Sequence, residues 1–348
     1  MKVGLLTFQS SRYIRYVGVG RYEEDLINGL NGLGINIEKI ILNEKEIGIN
    51  PAINRIWVMG LQYFSKPKKK YDIYHASSQF TATKYADIVT VHDVIGLKDI
   101  PEVKETINVF EKGLWLACLP LIRKAKRIIC VSNATKNDLI RITKIRENRI
   151  RVIYQGVDEK FYPDKDKEFK EKISPSLLFV SELRFYKNAH LVLKAMKILR
   201  EKYGEDFNFF IVGKESKTSM KWWNKWKDFI LKNNLKVEWL KGVDDDMLRK
   251  YYSNVDLFVW PSLAEGFGLP PLEAMACGTN VVCLDNEINR EILQDKAFYS
   301  SNSEEDFARA IMKAIEEKKP EKELIVHAKK FDWKKTAKET KEVYEEII

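Results

Sequence analysis

Residues 261–278 read PSLAEGFGLPPLEAMACG, a glycine-rich turn and a proline pair with Glu265 on one side and Glu273 on the other. The apolar, β-rich run VDLFVW (255–260) ahead of it predicts a buried strand. Pro271 suits the first turn of a helix, where its missing N–H is not needed, and Gly278 suits the helix end. NVVCL (280–284) then reads as the next buried strand. The predicted unit is strand, glycine loop, short helix, strand. Such a loop turns backbone N–H groups out of a helix N-terminus, which suits an anion. Carboxylates beside an anion site fit the hydroxyls of the same ligand.

Working outward, the 348 residues are enough for two domains with a core each. The hydrophobic share of 45% and charged share of 31% are those of a globular protein. No apolar run reaches the length of a membrane span, and MKVGLLTFQSSRY turns polar too early for a signal peptide, so a cytoplasmic protein is expected. Cys118, Cys130, Cys277 and Cys283 form no CxxC pair and sit in apolar segments, which reads as structural thiols rather than a metal site. The net charge of +9 lies in one half, with 30 basic and 21 acidic residues up to Lys172 and 29 of each beyond it. The excess gathers in KPKKK (66–70), LIRKAKR (121–127) and RITKIRENRIR (141–151). It suits an anionic partner, whether membrane, phosphate or nucleic acid, or else solvated lysines on ordinary helices.

Strands and helices alternate along the chain. Strand patterns in KVGLLTF, INIEKIIL, YDIYHAS, DIVTVHDV, RIICVS and RVIYQGV are followed by the charged stretch DKDKEFKEKISP (164–175), which reads as a boundary. The pattern restarts with SLLFVS, FNFFIVG, KVEWL, VDLFVW and NVVCL, separated by helices over 188–203, 219–233 and 244–253. Continuous apolar strands between helices predict parallel sheets covered on both faces. The expected fold is α/β, two Rossmann-like doubly wound domains over 1–165 and 173–330, with ligands at the carboxyl ends of the strands and a closing helix in 331–348.

Several residues stand where that rule expects chemistry. Gly18 and Gly20 precede a helix as a bare GxG, which fits a flexible turn as well as a phosphate contact. His75 and His92 each end a strand, and Ser132 is placed to cap a helix. Arg184 and Lys187 fall between a strand and a helix, a metal-free phosphate site or two solvated charges. Trp222, Trp223, Trp226, Phe229 and Ile230 recur at helical spacing and read as a core stripe. In the helical region 103–124, LWLACLPLI adjoins RKAKR, which fits a surface-lying membrane contact or a buried helix with a basic end.

At EGFGLPPLEAMACG the chain resembles the retaining glycosyltransferases of family 4 (group 1), which have the GT-B fold of two Rossmann-like domains facing a central cleft. GVGRYEEDLINGL, VTVHDV, VSNATKNDL, VIYQGVDEKFYP, YYSNVDLFVWPS and FDWKKTAKETKEVY extend the resemblance along the chain. It implies that Glu273 binds the ribose of a UDP- or GDP-linked sugar and Glu265 a hydroxyl of that sugar. Gly266, Phe267, Gly268 and Leu269 would lie along the sugar and diphosphate. Lys187 would bind phosphate, His92 would face the sugar, and Gly18 and Gly20 would approach the diphosphate. No cofactor is implied beyond the sugar nucleotide. The C-terminal helix would cross back to the N-terminal domain.

Two positions depart from the family pattern. Ser181-Glu182 replaces the usual Gly-Arg, so Arg184 is the candidate for the missing arginine, and Gln155 stands where Asn is common. The expected activity is metal-independent hexosyl transfer, with mannose or glucose as the sugar, to a glycan or polyprenyl-linked acceptor at an anionic membrane face, and no nucleic acid is expected. A sugar-nucleotide epimerase of the same fold and a non-enzymatic basic protein are the alternatives.

Overall fold

The computed structural model describes residues 1–7, 18–42, 69–107 and 109–348. Most of SSRYIRYVGVG and residues 66–68 of the lysine run lie outside them. The chain divides into two compact units, Met1–Ile100 with Ile107–Gly156 and Asp332–Ile348, and Pro101–Thr106 with Val157–Phe331.

The first unit is built on a six-stranded parallel sheet in the order β2-β1-β3-β4-β5-β6. Its strands are β1 (Lys2–Thr7), β2 (Asn36–Ile41), β3 (Ile73–Ala76), β4 (Ile88–Val91), β5 (Arg127–Cys130) and β6 (Ile150–Val152). Because side chains alternate across a strand, each strand feeds two cores. Leu6, Val89, Val91, Ile128 and Cys130 pack with Trp115, Cys118, Leu121 and Ile122 of helix Val109–Lys124. Val3, Leu5, Ile88 and Ile129 pack on the other face with Leu26 and Leu30 of helix Gly18–Gly32 and with Ala337, Val343 and Tyr344 of helix Trp333–Glu345. Gly156 is required by this packing, because a Cβ there would stand 2.4 Å from the Trp333 backbone nitrogen.

The second unit has the strand order β12-β11-β10-β7-β8-β9, all parallel. These are β7 (Ser176–Val180), β8 (Asn208–Val212), β9 (Lys236–Leu240), β10 (Leu257–Trp260), β11 (Val281–Leu284) and β12 (Phe298–Ser300). Counted from β7 this is the 3-2-1-4-5-6 order of a dinucleotide-binding fold, and its direction reverses between β7 and β10. The tryptophan stripe is in the core as its spacing indicated, with Trp222, Trp226 and Ile230 buried.

Two expectations change. The charged stretch 164–175 is not a linker. It carries helix Lys167–Ile173 within the second unit, and Asn254 ties its backbone by accepting from the Asp166 N–H (2.8 Å) and donating to the Asp164 carbonyl (2.9 Å). Its acids are also used, Asp164 by Arg249 and Asp166 by Lys250. The single helical region over 103–124 is two helices, Pro101–Thr106 and Val109–Lys124. The first buries Val103 and belongs to the second unit, where Glu105 pairs with Lys225 at 3.2 Å.

His75 is a core residue, the reading favoured for a lone histidine at a strand end. It is fully buried, with Nδ1 2.7 Å from the Tyr344 hydroxyl and Nε2 2.8 Å from that of Thr90, so it fastens the C-terminal helix to β3 and β4. Burial pushes its pKa down to about 3. The unfolded chain therefore takes up this proton near pH 6.5 while the folded chain refuses it, and stability present above pH 6.5 drains away as pH falls. Urea unfolding between pH 7.5 and 4.5 should show a loss approaching about 1.4 kcal/mol per pH unit from this residue. His75→Gln should flatten that slope, and an unchanged slope would refute the assignment.

Candidate active site

Parallel strands put every loop that follows a strand on one edge of the sheet. Where strand order reverses, the loops on either side turn apart and leave a crevice. In the second unit that point lies between β7 and β10, and Lys187 and Glu265 come from the two loops concerned. The β7 loop ends in the turn Phe185–Lys187, closed by Asn188 in the left-handed region (φ 62°), before helix Ala189–Ile198. The β10 loop is tied to that turn by the Leu263 N–H, which donates to the Tyr186 carbonyl at 2.9 Å. It then turns through Gly268 at φ +97°, a conformation L side chains rarely adopt, into helix Leu269–Ala276.

The two side chains meet. Lys187 Nζ donates to both oxygens of Glu265, at 2.6 and 2.8 Å, with the lysine side chain 15% and the glutamate 10% exposed. The ammonium also lies 5.3 Å from the ring centre of Trp260 and 5.5 Å from that of Tyr186. Burial alone would lower the lysine pKa, but the charge of Glu265, with Tyr186, raises it, so the ammonium stays charged.

Glu273 lies on helix Leu269–Ala276, 5% exposed, and its Oε2 accepts from the buried Tyr252 hydroxyl at 2.9 Å. Gly266, Phe267 and Gly268 are buried in the loop between the glutamates, and Leu269 opens the helix half-buried. Pro270 and Pro271 carry no N–H, so the first turn offers fewer amide donors than its position suggested. Arg184 is already engaged, since its Nε donates to Glu182 Oε2 at 2.9 Å while Ser216 donates to Glu182 Oε1 at 2.7 Å. The residue standing in place of the family arginine thus holds its candidate replacement, and these hydrogen bonds and charges keep the Glu182 carboxyl below the usual range.

In the first unit His92 follows β4. Its Nε2 is 2.9 Å from the Ser77 carbonyl and its Nδ1 3.2 Å from Gln155 Nε2, while the Tyr22 ring meets it edge-on at 4.6 Å. Burial pushes its pKa down to about 4. Gly18 and Gly20 open helix Gly18–Gly32, and a Cβ at Gly18 would touch nothing within 4 Å. Packing among the described residues therefore does not require that glycine. The sequence did not flag Glu23, which is buried at the reversal point of this sheet, between β1 and β3. It accepts from the hydroxyls of Thr7 (2.6 Å) and Ser77 (2.5 Å). Ser132 caps helix Asn133–Thr143 through the Thr135 N–H, as its position indicated.

Family comparison matches residues 162–331 to the glycosyl transferases group 1 and residues 17–161 to glycosyltransferase family 4. The chain belongs to the group 1 and family 4 glycosyltransferases. It is 30% identical over 196 residues to the O-antigen chain mannosyltransferase RfbU of Salmonella typhimurium, covering 56% of this chain and 52% of that one. It is 23% identical to O-antigen chain mannosyltransferase B of Escherichia coli, covering 78% and 74%. The match to RfbU thus spans about half of that relative's length. Among solved structures, Anabaena HepE in complex with UDP and glucose superposes with a TM-score of 0.73 at 16% identity over the whole of both chains. Sucrose-phosphate synthase from Thermosynechococcus elongatus does so at 0.79 and 16% identity, over 99% and 98%. The fold of the chain is GT-B, with two Rossmann-like units.

The largely covered Lys187–Glu265 pair should behave as a unit. Removing either partner leaves an uncompensated charge and is expected to cost about 3 kcal/mol, whereas Lys187→Met with Glu265→Gln should cost clearly less than the sum. Denaturant titrations of the four proteins measure the coupling, and strict additivity would refute it.

Proposed function

We propose that the chain is a retaining hexosyltransferase that moves mannose or glucose from a UDP- or GDP-linked donor to a glycan or polyprenyl-linked acceptor. The observation that carries this reading is the Lys187–Glu265 pair, a largely covered cation and carboxylate at the reversal point of the second sheet, with Glu273 beyond it on the helix. The names of the mannosyltransferase relatives, and the UDP and glucose bound to the HepE neighbour, support the choice of substrates. Glu273 takes the ribose hydroxyls and Glu265 a sugar hydroxyl. The backbone of 266–269 lies along the sugar and diphosphate, and Lys187, with Arg184, takes the phosphates. In the first unit His92 faces the sugar, and Gly18 and Gly20 approach the diphosphate.

In the proposed step the bond from the anomeric carbon to the diphosphate oxygen breaks and its electron pair leaves with the diphosphate. Lys187 holds the charge that grows there, and its three N–H donors let it keep one on Glu265. The acceptor oxygen bonds to the oxocarbenium-like carbon on the face the diphosphate leaves, and its proton passes to a phosphate oxygen. Configuration is retained and no separate base is used.

Incubation with a panel of sugar nucleotides, with and without acceptor, tests this. Turnover should require acceptor, keep the anomeric configuration and survive chelation of divalent ions. Glu273→Ala should mainly raise the donor KM and Lys187→Ala mainly lower kcat. Donor conversion without acceptor would favour the epimerase, and loss of activity to EDTA with rescue by Mg²⁺ would overturn metal independence. A kcat/KM within twofold of wild type in both variants would overturn the site.

The same reading places the protein against the cytoplasmic face of an anionic membrane. No helix among the described residues is long and apolar enough to cross one. Helix Val109–Lys124 buries Trp115, Cys118, Leu121 and Ile122 and turns outward Val109 (91% exposed), Leu116 (51%), Lys112, Pro120 and Lys124. Apolar residues interleaved with cations on one open face favour a surface-lying contact over a fully buried helix. Lys126 and Arg127 are paired with Asp87 and Glu346, so Lys112 and Lys124 carry the test. Sedimentation with anionic liposomes should fall in high salt and in Lys112→Glu/Lys124→Glu. Equal binding to neutral liposomes, or none to either kind, would refute it.

A further inference from the structure

The His92 ring is fixed by an argument from donors and acceptors. Its Nε2 faces the Ser77 carbonyl, which only accepts, so Nε2 carries the hydrogen. In the neutral ring Nδ1 is then a lone pair and only accepts, so Gln155 presents its amide N–H to it at 3.2 Å. The backbone is held as well, since the His92 N–H donates to Gln79 Oε1 at 3.1 Å. Gln155 is itself buried. We propose that Gln155 is a positioning residue that, together with Ser77, holds His92 as the neutral Nε2–H tautomer, the Nε2 hydrogen committed to the Ser77 carbonyl and the Nδ1 lone pair to the Gln155 amide. This rests on the reading of His92 as the group facing the donor sugar, and it deepens that reading.

The chemistry gives the arrangement a purpose. Positive charge develops on the sugar as the diphosphate leaves, and an imidazolium facing it would repel that charge, whereas a neutral ring does not. A carboxylate at position 155 would draw a proton onto Nδ1, while the amide supplies a hydrogen and leaves the ring uncharged. The titratable groups around the ring suit a neutral histidine. Tyr22 packs edge-on and the uncharged His75 lies near. Glu23 is occupied by the Ser77 and Thr7 hydroxyls, and Asp93 accepts the Ile95 N–H. Burial opposes protonation of His92, and the Ser77 carbonyl only partly offsets it.

The chain has four histidines, so nitrogen NMR of ¹⁵N-histidine protein separates them, with His92→Gln as the assignment control. Wild-type Nδ1 should keep the signal of an unprotonated nitrogen from pH 9 to 5. In Gln155→Glu, close to it in shape, Nδ1 should be protonated at neutral pH. The kcat profile of that variant should gain a limb that rises with pH as the imidazolium loses its proton, a limb wild type lacks. Gln155→Leu should lower kcat about tenfold or more with donor KM nearly unchanged. A wild-type Nδ1 that titrates in this range, or a Gln155→Glu protein with wild-type nitrogen signals, would overturn the proposal. If wild type turned over no donor at all, the function proposed above would fall, while the nitrogen spectra would still decide whether Gln155 holds the ring.

Discussion

An ammonium largely withdrawn from water needs an anion beside it, and that requirement organises the second unit. Lys187 reaches Glu265 only because β7 and β10 are neighbours at the point where strand order reverses, which brings two loops distant in sequence to one edge. The Leu263–Tyr186 backbone hydrogen bond joins those loops, and Gly268 turns the chain into the helix that carries Glu273. A charge left alone at this depth would cost several kcal/mol, so the pair fixes the geometry of both loops. In the proposed function the pair calls for an anion at the lysine and hydroxyls at the carboxylate.

The first unit is held by buried polar groups of another kind. His75, Thr90, Tyr22 and Tyr344 form one chain of hydrogen bonds through its centre, and Thr7, Glu23 and Ser77 form a second where its strand order reverses. Ser77 joins that second chain to His92 through its carbonyl. Fully satisfied networks of this type make a core specific, because any rearrangement strands a polar group away from water. Both histidines stay neutral, each ring with a single N–H, because burial opposes the imidazolium.

The two departures from the family pattern have structural readings. Glu182 occupies the place of an arginine and binds Arg184, so the cation at this edge arrives already paired. Gln155 occupies the place of an asparagine and reaches the His92 ring. Neither consequence follows from the substituted residue alone, since each depends on which side chain the fold brings opposite.

Much of the architecture was legible in the chain itself. Apolar runs such as LLFV and FVW can only be buried strands, and their alternation with helices requires parallel sheets, because a parallel connection needs a crossover. The glycines and prolines of 266–271 marked the loop, and the spacing of Trp222, Trp226 and Ile230 marked a core face, for the same local reasons. The sequence could not show that 164–175 is bound into the second unit, that 101–106 leaves its neighbours in the chain, or which hydroxyls hold the His75 ring. Nor could it show the partners of Lys187, Arg184 and Glu273. Strand and helix patterns are local, written within a few residues of one another. Pairing of side chains 78 and 63 positions apart is set by strand order and loop closure, and only the folded chain decides it.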